Sequence, residues 1–229
     1  GLGDVYKRQL FVLDGCQDGP VKTILREAKK QDTMVQYVKK ERLDQLSETK
    51  NHQGVIAYCA ACEYAEVSDI LENAKKKGEA PFIVLLDGIE DPHNLGAIIR
   101  TANQAGAHGV IIPKRRAVGL TATVARTSAG AVNYTPVAKV TNLVTVMEDL
   151  KKEGMWFVCA DMDGEEMYSL NLKGPIGLVI GNEGEGVSRL VKEHCDMVAS
   201  IPMKGDIDSL NASVAMGVLA YEIVRQRRF

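Results

Sequence analysis

At 229 residues with 45% apolar side chains, the chain is long enough for one large or two small domains with conventional cores. No apolar run approaches the roughly 20 residues of a membrane helix, and the opening residues lack a basic segment followed by an apolar stretch and a cleavage site, so the chain is expected in the cytoplasm with no membrane role. A net charge of −2, from 28 basic and 30 acidic residues, leaves any nucleic-acid affinity to local patches.

The chain begins at Gly1, and residues 1–9 match nothing in the pattern that follows, reading as a truncation scar or assembly artefact. From residue 10 the pattern alternates: a strand over 10–13, a helix over 21–30, a strand over 34–38, a short helix over 41–48 and a strand over 54–62. These elements predict a small α/β domain within 1–65. Residues 66–80 are poor in apolar side chains, carry Lys75-Lys76-Lys77-Gly78 and end before Pro81. They read as a linker with room for one short amphipathic helix through Ile70, Leu71 and Ala74.

The second domain, 81–229, opens with an apolar run over 82–86, the signature of a parallel strand buried on both faces. Asn94 is placed to cap a helix through Ala105, closed by Gly106, and the next strand follows at 110–112. Further strands over 156–160 and 176–180, with helices between, predict an α/β domain with a mostly parallel sheet. The last helix, from about Ser209 to Arg225, is apolar nearly all round through Leu210, Val214, Met216, Val218, Leu219, Tyr221 and Ile223. It needs cover on more than one side, which points to a homodimer.

Five cysteines, Cys16, Cys59, Cys62, Cys159 and Cys195, are odd in number and scattered, which argues against a disulfide framework. Cys59 and Cys62 form a lone CxxC without a second pair at ligand spacing, so buried strand cysteines and no metal are expected. Basic runs at Lys29-Lys30, Lys39-Lys40 with Arg42, Lys75 to Lys77, Lys114 to Arg116, and Arg225 with Arg227-Arg228 are candidate phosphate contacts. Each alone is more often a solvated face.

Three segments carry candidate chemistry. In Asp91-Pro92-His93-Asn94-Leu95-Gly96-Ala97-Ile98-Ile99-Arg100, helical periodicity puts Leu95, Ile98, Ile99, Ala102 and Ala105 on one face and Arg100 on the opposite one. On this segment alone, an ordinary exposed arginine with Asn94 as a simple cap is the better reading. Gly181-Asn182-Glu183-Gly184-Glu185-Gly186 follows a strand at the edge where α/β sheets bind ligands. Its two glutamates would repel a phosphate and suit a ligand with a cationic centre or hydrogen-bond donors, although the glycines alone could serve a tight turn. Ile201-Pro202-Met203 leads to Ser209-Leu210-Asn211-Ala212-Ser213, where Ser209 and Asn211 could each cap the last helix and only one cap is needed.

Taken in order, these segments resemble the three motifs of the SpoU (TrmH-like) RNA 2′-O-methyltransferases of the SPOUT superfamily, over the whole of 82–228. The N-terminal domain is similar to the L30e-like RNA substrate-binding domain that precedes the catalytic one in the branch acting on a 23S rRNA guanosine. The resemblance implies a trefoil-knotted methyltransferase domain, S-adenosylmethionine as cofactor, and methyl transfer to a ribose 2′-hydroxyl in RNA. A 23S rRNA guanosine is the expected target, with tRNA, or a catalytically silent RNA-binding homologue, as alternatives. It also implies that Gly181, Ile201, Leu210, Met203 and Ala160 hold the cofactor, and that Asn94, Arg100, Glu183, Ser209 and Asn211 are catalytic. A guanidinium keeps its protons, so Arg100 is expected to stabilise or orient a developing alkoxide. An oxidoreductase is disfavoured, because no strand is followed by GxGxxG with an acidic residue about 20 positions on.

Overall fold

The computed structural model describes residues 9–229 apart from 17, 31–32, 48–49, 59–61 and 208. The chain divides into two units, Gly1–Glu63 and Tyr64–Phe229.

In the first unit β1 (Gln9–Leu13) pairs parallel with β2 (Met34–Val38) and antiparallel with β3 (Val55–Tyr58). The crossover helix α1 (Gly19–Lys30) lays Val21 on Leu10 and Val12, and α2 (Lys40–Leu46) buries Leu43 completely. Gln9, set aside with the terminus in the sequence reading, is the first residue of β1 and pairs with both neighbouring strands. Residues 1–8 and Cys59 lie outside the described residues, and Cys62 is half-buried beyond the end of β3.

The second unit is a six-stranded parallel sheet in the order β6-β5-β4-β8-β7-β9. Its strands are β4 (Phe82–Asp87), β5 (Gly109–Pro113), β6 (Val137–Val140), β7 (Trp156–Glu166), β8 (Ile176–Gly181) and β9 (Met197–Ser200). Alternation along β4 explains its unbroken apolar run. Phe82, Val84 and Leu86 face one core with Leu95, Ile98, Ile99, Leu219 and Ile223, while Ile83 and Leu85 face another with Ile70, Met147, Leu150 and Val191. The helices covering the first face are α4 (Pro92–Gln104) and α8 (Ala212–Arg228); α3 (Val67–Lys77), α6 (Leu143–Lys152) and α7 (Arg189–Glu193) cover the second, and α5 (Ala122–Thr127) packs beside α4. Each large side chain buried this way contributes about 1.5–3 kcal/mol.

One expectation changes here. Residues 66–80 are not a tether: Glu66 and Asp69 form a capping box for α3, whose Ile70 is fully buried under the sheet. The helix is tied in further by Asn73 Nδ2, which donates to the His108 carbonyl at 3.0 Å. His108 is itself buried, accepting the Phe82 N–H on Nδ1 at 2.9 Å and meeting Glu79 through Nε2 at 2.9 Å. Helix α8, read as apolar nearly all round, is covered by the core on only part of its circumference. Val214 and Tyr221 are half exposed, one above the other at i and i+7, while the rest of its apolar side is sunk in the core.

The end of α8 returns to the edge where the sheet begins. Arg227 donates to the carbonyls of Ala80 at 3.1 Å, Pro81 at 3.0 Å and Gly174 at 2.6 Å, and its guanidinium lies over the Phe82 ring. Gln226 accepts the Leu172 N–H at 2.8 Å and donates to the Leu170 carbonyl at 3.0 Å.

Candidate active site

Strands β4, β8, β7 and β9 end along one rim, the carboxyl edge where parallel sheets place ligands. Asp87 pairs in register with Gly181, and Ala160 with Ala199. The loop after β8 is folded by its own side chain: Asn182 Oδ1 accepts the N–H groups of Gly184 at 2.9 Å and Glu185 at 2.7 Å, and the Asn182 carbonyl accepts the Gly186 N–H at 2.9 Å. Asp87 holds the far end by accepting the Ser188 N–H at 2.8 Å. Gly181 has no substitute here, because a Cβ would run into the backbone of Gly186 and Val187.

That turn aims Glu183 at the start of two helices. Asp91, not Asn94, caps α4 by accepting the His93 N–H at 2.9 Å, with Pro92 in the first turn where its missing N–H costs nothing. Asn94 is therefore free to turn inward, buried, and its Nδ2 donates to Glu183 Oε1 at 3.0 Å. Asn211 caps α8, taking the Ser213 and Val214 N–H groups on Oδ1; its Nδ2 donates to Asn94 Oδ1 at 3.0 Å and to Glu183 Oε1 at 2.5 Å. The Ala212 N–H adds a third donor to Glu183 Oε1 at 3.2 Å. A carboxylate at the amino end of a long helix also gains from the helix dipole.

Asn94, Glu183 and Asn211, distant in sequence, thus form one network. Ser209 is exposed beside it, without a hydrogen bond among the described residues. Arg100 is exposed on α4, six residues beyond Asn94, which is about 9 Å along the helix and 240° around it. The fold does not bring Arg100 to the network within one chain.

Next to the network lies a cavity of about 360 Å³ lined by Gly88, Ile89, Glu90, Asp91, Asn94, Arg116, Asn182, Glu183 and Glu185. Over it Arg116 Nη2 and Glu185 Oε2 pair at 2.5 Å. The sequence reading had Asn182 and Glu185 only as members of the glycine-rich ligand loop and Arg116 only in a basic run, named none of them as a site residue, and did not single out Asp87. The contact spans 69 positions, so only the run Lys114 to Arg116 and the second glutamate of the glycine-rich loop hinted at it.

The expected cofactor positions share the other part of the rim. Gly181 is buried, Ile201, Leu210 and Ala160 are partly buried, and Met203 is exposed. Among the described residues, no backbone group of 201–210 makes a hydrogen bond within the chain. That leaves donors and acceptors beside the ends of β7, β8 and β9, the backbone set that an adenosine-bearing ligand requires, and S-adenosylmethionine fits it. Below Ala160, burial works against the charge of Asp161, yet Lys192 Nζ at 2.7 Å and the Asp163 N–H hold its carboxyl below the ordinary value.

Comparison with known proteins agrees over both units. Residues 81–221 match the model of the SpoU rRNA methylase family, and residues 5–65 match the model described as RNA 2′-O ribose methyltransferase substrate binding. The second match begins ahead of β1 and ends where the first unit does. The chain is 50% identical over 225 residues to the TrmH family protein YacO of Bacillus subtilis, covering 97% of this chain and 89% of that protein. It is 41% identical over 221 residues to the 23S rRNA (guanosine-2′-O-)-methyltransferase RlmB of Shewanella oneidensis, covering 96% and 89%. Among solved structures, the SpoU methyltransferase AviRb of Streptomyces viridochromogenes, in complex with AdoMet, superposes with a TM-score of 0.77 at 27% identity, covering 95% of this chain and 82% of that one.

Proposed function

The chain belongs to the SpoU rRNA methylase family, and from that premise we propose that it transfers a methyl group to the ribose 2′-hydroxyl of a guanosine in 23S rRNA. The observation that carries this reading is the convergence of Asn94, Glu183 and Asn211 on one carboxylate oxygen beside an open cavity. The guanosine comes from the named activity of the Shewanella relative.

When bound, S-adenosylmethionine supplies the methyl group on a sulfonium centre. Gly181, Ile201, Leu210, Met203 and Ala160 would hold it, chiefly through backbone groups. The chain's own task is to fix a hydroxyl in line at near-attack distance, an effect that accounts for much of the barrier when geometry is held. Glu183 orients Asn94 and Asn211, and Ser209 and Asn211 orient the ribose. Arg100, whose fixed charge suits an alkoxide, stabilises the oxygen as it gives up its proton, with an RNA phosphate as the proton's destination.

Arg100 is remote from its own chain's network, and Val214 and Tyr221 leave an apolar face half exposed on α8, the helix that packs against the one carrying Arg100. Both features support a homodimer in which this face is covered. The segment 201–210, passing from β9 to a helix that caps itself against Glu183, supports the knotted SPOUT topology. The first unit is the RNA-binding domain, and the protein acts in the cytoplasm, where rRNA is made into ribosomes.

The test is methyl transfer from labelled S-adenosylmethionine to an unmodified 23S rRNA transcript, with the product mapped for 2′-O-methylation. A single methylated guanosine is expected. Transfer confined to tRNA, or to a base nitrogen or carbon, would overturn the reading.

A further inference from the structure

We propose that Arg116 and Glu185 together read the Watson–Crick edge of the target guanine, which enters the cavity beside the catalytic network. This rests on the methyltransferase reading and adds to it how the base is chosen.

The lining chemistry narrows the occupant. Four carboxylates, Glu90, Asp91, Glu183 and Glu185, surround the cavity against the single cation Arg116. That balance disfavours a phosphate and favours a neutral group rich in hydrogen-bond donors. A volume of about 360 Å³ lies at the small end of ligand pockets. One wall is the backbone of Gly88, at φ +81, where a Cβ would close to 3.0 Å on Asn182 Nδ2 and 3.9 Å on Arg116 Nη2. A flat ring can use the space that a side chain would fill. The cavity also shares Asn94 and Glu183 with the network, so a nucleotide with its ribose at the network has its base here.

The Arg116–Glu185 pair then supplies the pattern. A guanidinium joined to a carboxylate through one N–H, as Arg116 Nη2 is to Glu185 Oε2, keeps its further N–H donors and leaves the carboxylate's other oxygen lone pairs free. Read across, it offers a donor followed by acceptors, the order that cytosine presents to guanine. Guanine answers with the O6 acceptor, the N1–H donor and the N2 amino donor. Adenine turns an amino group toward Arg116, cytosine reverses the order, and uracil sets its O2 against Glu185. RNA-binding proteins read splayed bases on this same edge.

Two local features indicate that the pair is placed and not incidental. Arg116 has φ 55, in the left-handed region that few non-glycine residues adopt. Glu185 is fixed by Asn182, which accepts its N–H at 2.7 Å. Both side chains are more than half exposed, so the ion pair itself contributes little and a base can share it at small cost.

The experiment compares 23S rRNA transcripts carrying guanosine, inosine or adenosine at the mapped target position, using kcat/KM for methyl transfer. Inosine lacks only the N2 amino group. The unaltered chain should lose roughly 10-fold or more with inosine and more again with adenosine. Glu185→Ala should slow guanosine and bring the guanosine-to-inosine ratio to within about two-fold, because the partner of N2 is gone. Arg116→Ala should slow both substrates together and keep their ratio, because both carry O6. Each ratio is internal to one variant, so it holds even where folding or cofactor affinity changes. Adenosine accepted as well as guanosine, or a Glu185→Ala ratio equal to that of the unaltered chain, would overturn the assignment. No transfer to any of the three RNAs by the unaltered chain would remove the methyltransferase reading and this one with it, a result distinct from equal rates.

Discussion

Alanine at position 181 would place its Cβ well under 3.0 Å from the Gly186 carbonyl and the Val187 nitrogen, atoms of the backbone that no rotamer change can move aside. Relief requires the loop to shift by about 1 Å, which breaks the 2.9 Å bond from the Gly186 N–H to Asn182 and strains the 2.8 Å bond from Ser188 to Asp87. Two hydrogen bonds at about 1 kcal/mol each, with overpacking of about 1–3 kcal/mol, put the cost near 3–5 kcal/mol. For a unit of this size that lowers the melting temperature by roughly 10 °C. Gly184→Ala is the control, because its Cβ meets nothing nearer than Asn182 Oδ1 at 3.6 Å, an ordinary contact; its change should stay within about 0.5 kcal/mol. Calorimetric unfolding and titration with S-adenosylmethionine, run on both variants, decide the matter. A Gly181→Ala protein melting within about 2 °C of the parent, with unchanged cofactor affinity, would refute the close-approach argument.

Arg100→Ala should abolish methyl transfer while leaving S-adenosylmethionine affinity within a few-fold, because Arg100 lies on an exposed helix face away from the cofactor rim; near-normal turnover would remove its assigned role. Burial, working against the smaller opposite pull of Glu79, holds the His108 imidazole below its ordinary pKa. The unfolded chain therefore takes up a proton near pH 6.5 that the folded chain refuses, so stability should fall as pH drops through and below about 6.5. In melting curves from pH 8 to 5.5, His108→Asn should be the flatter, and equal slopes would count against the assignment. A chain cut to 64–229, which keeps α3 and its buried Ile70, should still bind cofactor but methylate RNA weakly and with a shallower salt dependence than the whole protein; equal salt slopes would show that the first unit does not deliver RNA.

How far the sequence could be read depends on the range of the interactions involved. Residues 82–86 announce a doubly buried strand because alternate positions are all apolar, and both cores confirm it. Asn94 shows the opposite case. Its type and place suit a cap, but Asp91 with Pro92 takes that task three residues earlier, and what Asn94 does instead is set by Glu183, 89 positions away. Residues 66–80 read as a linker because charges hide a sparse apolar stripe, and tertiary burial of Ile70 and Ala74 overrides composition. The motifs named the segments that meet; periodicity could not say that Arg116 would reach across to Glu185.

Helix α8 completes both the setting of β4 and the network around Glu183. Until Arg227 reaches the carbonyls of Ala80, Pro81 and Gly174, and until Asn211 and Ala212 reach Glu183, the catalytic half lacks both its clasp and its site. Competence of the catalytic half therefore arrives in one step, when α8 docks.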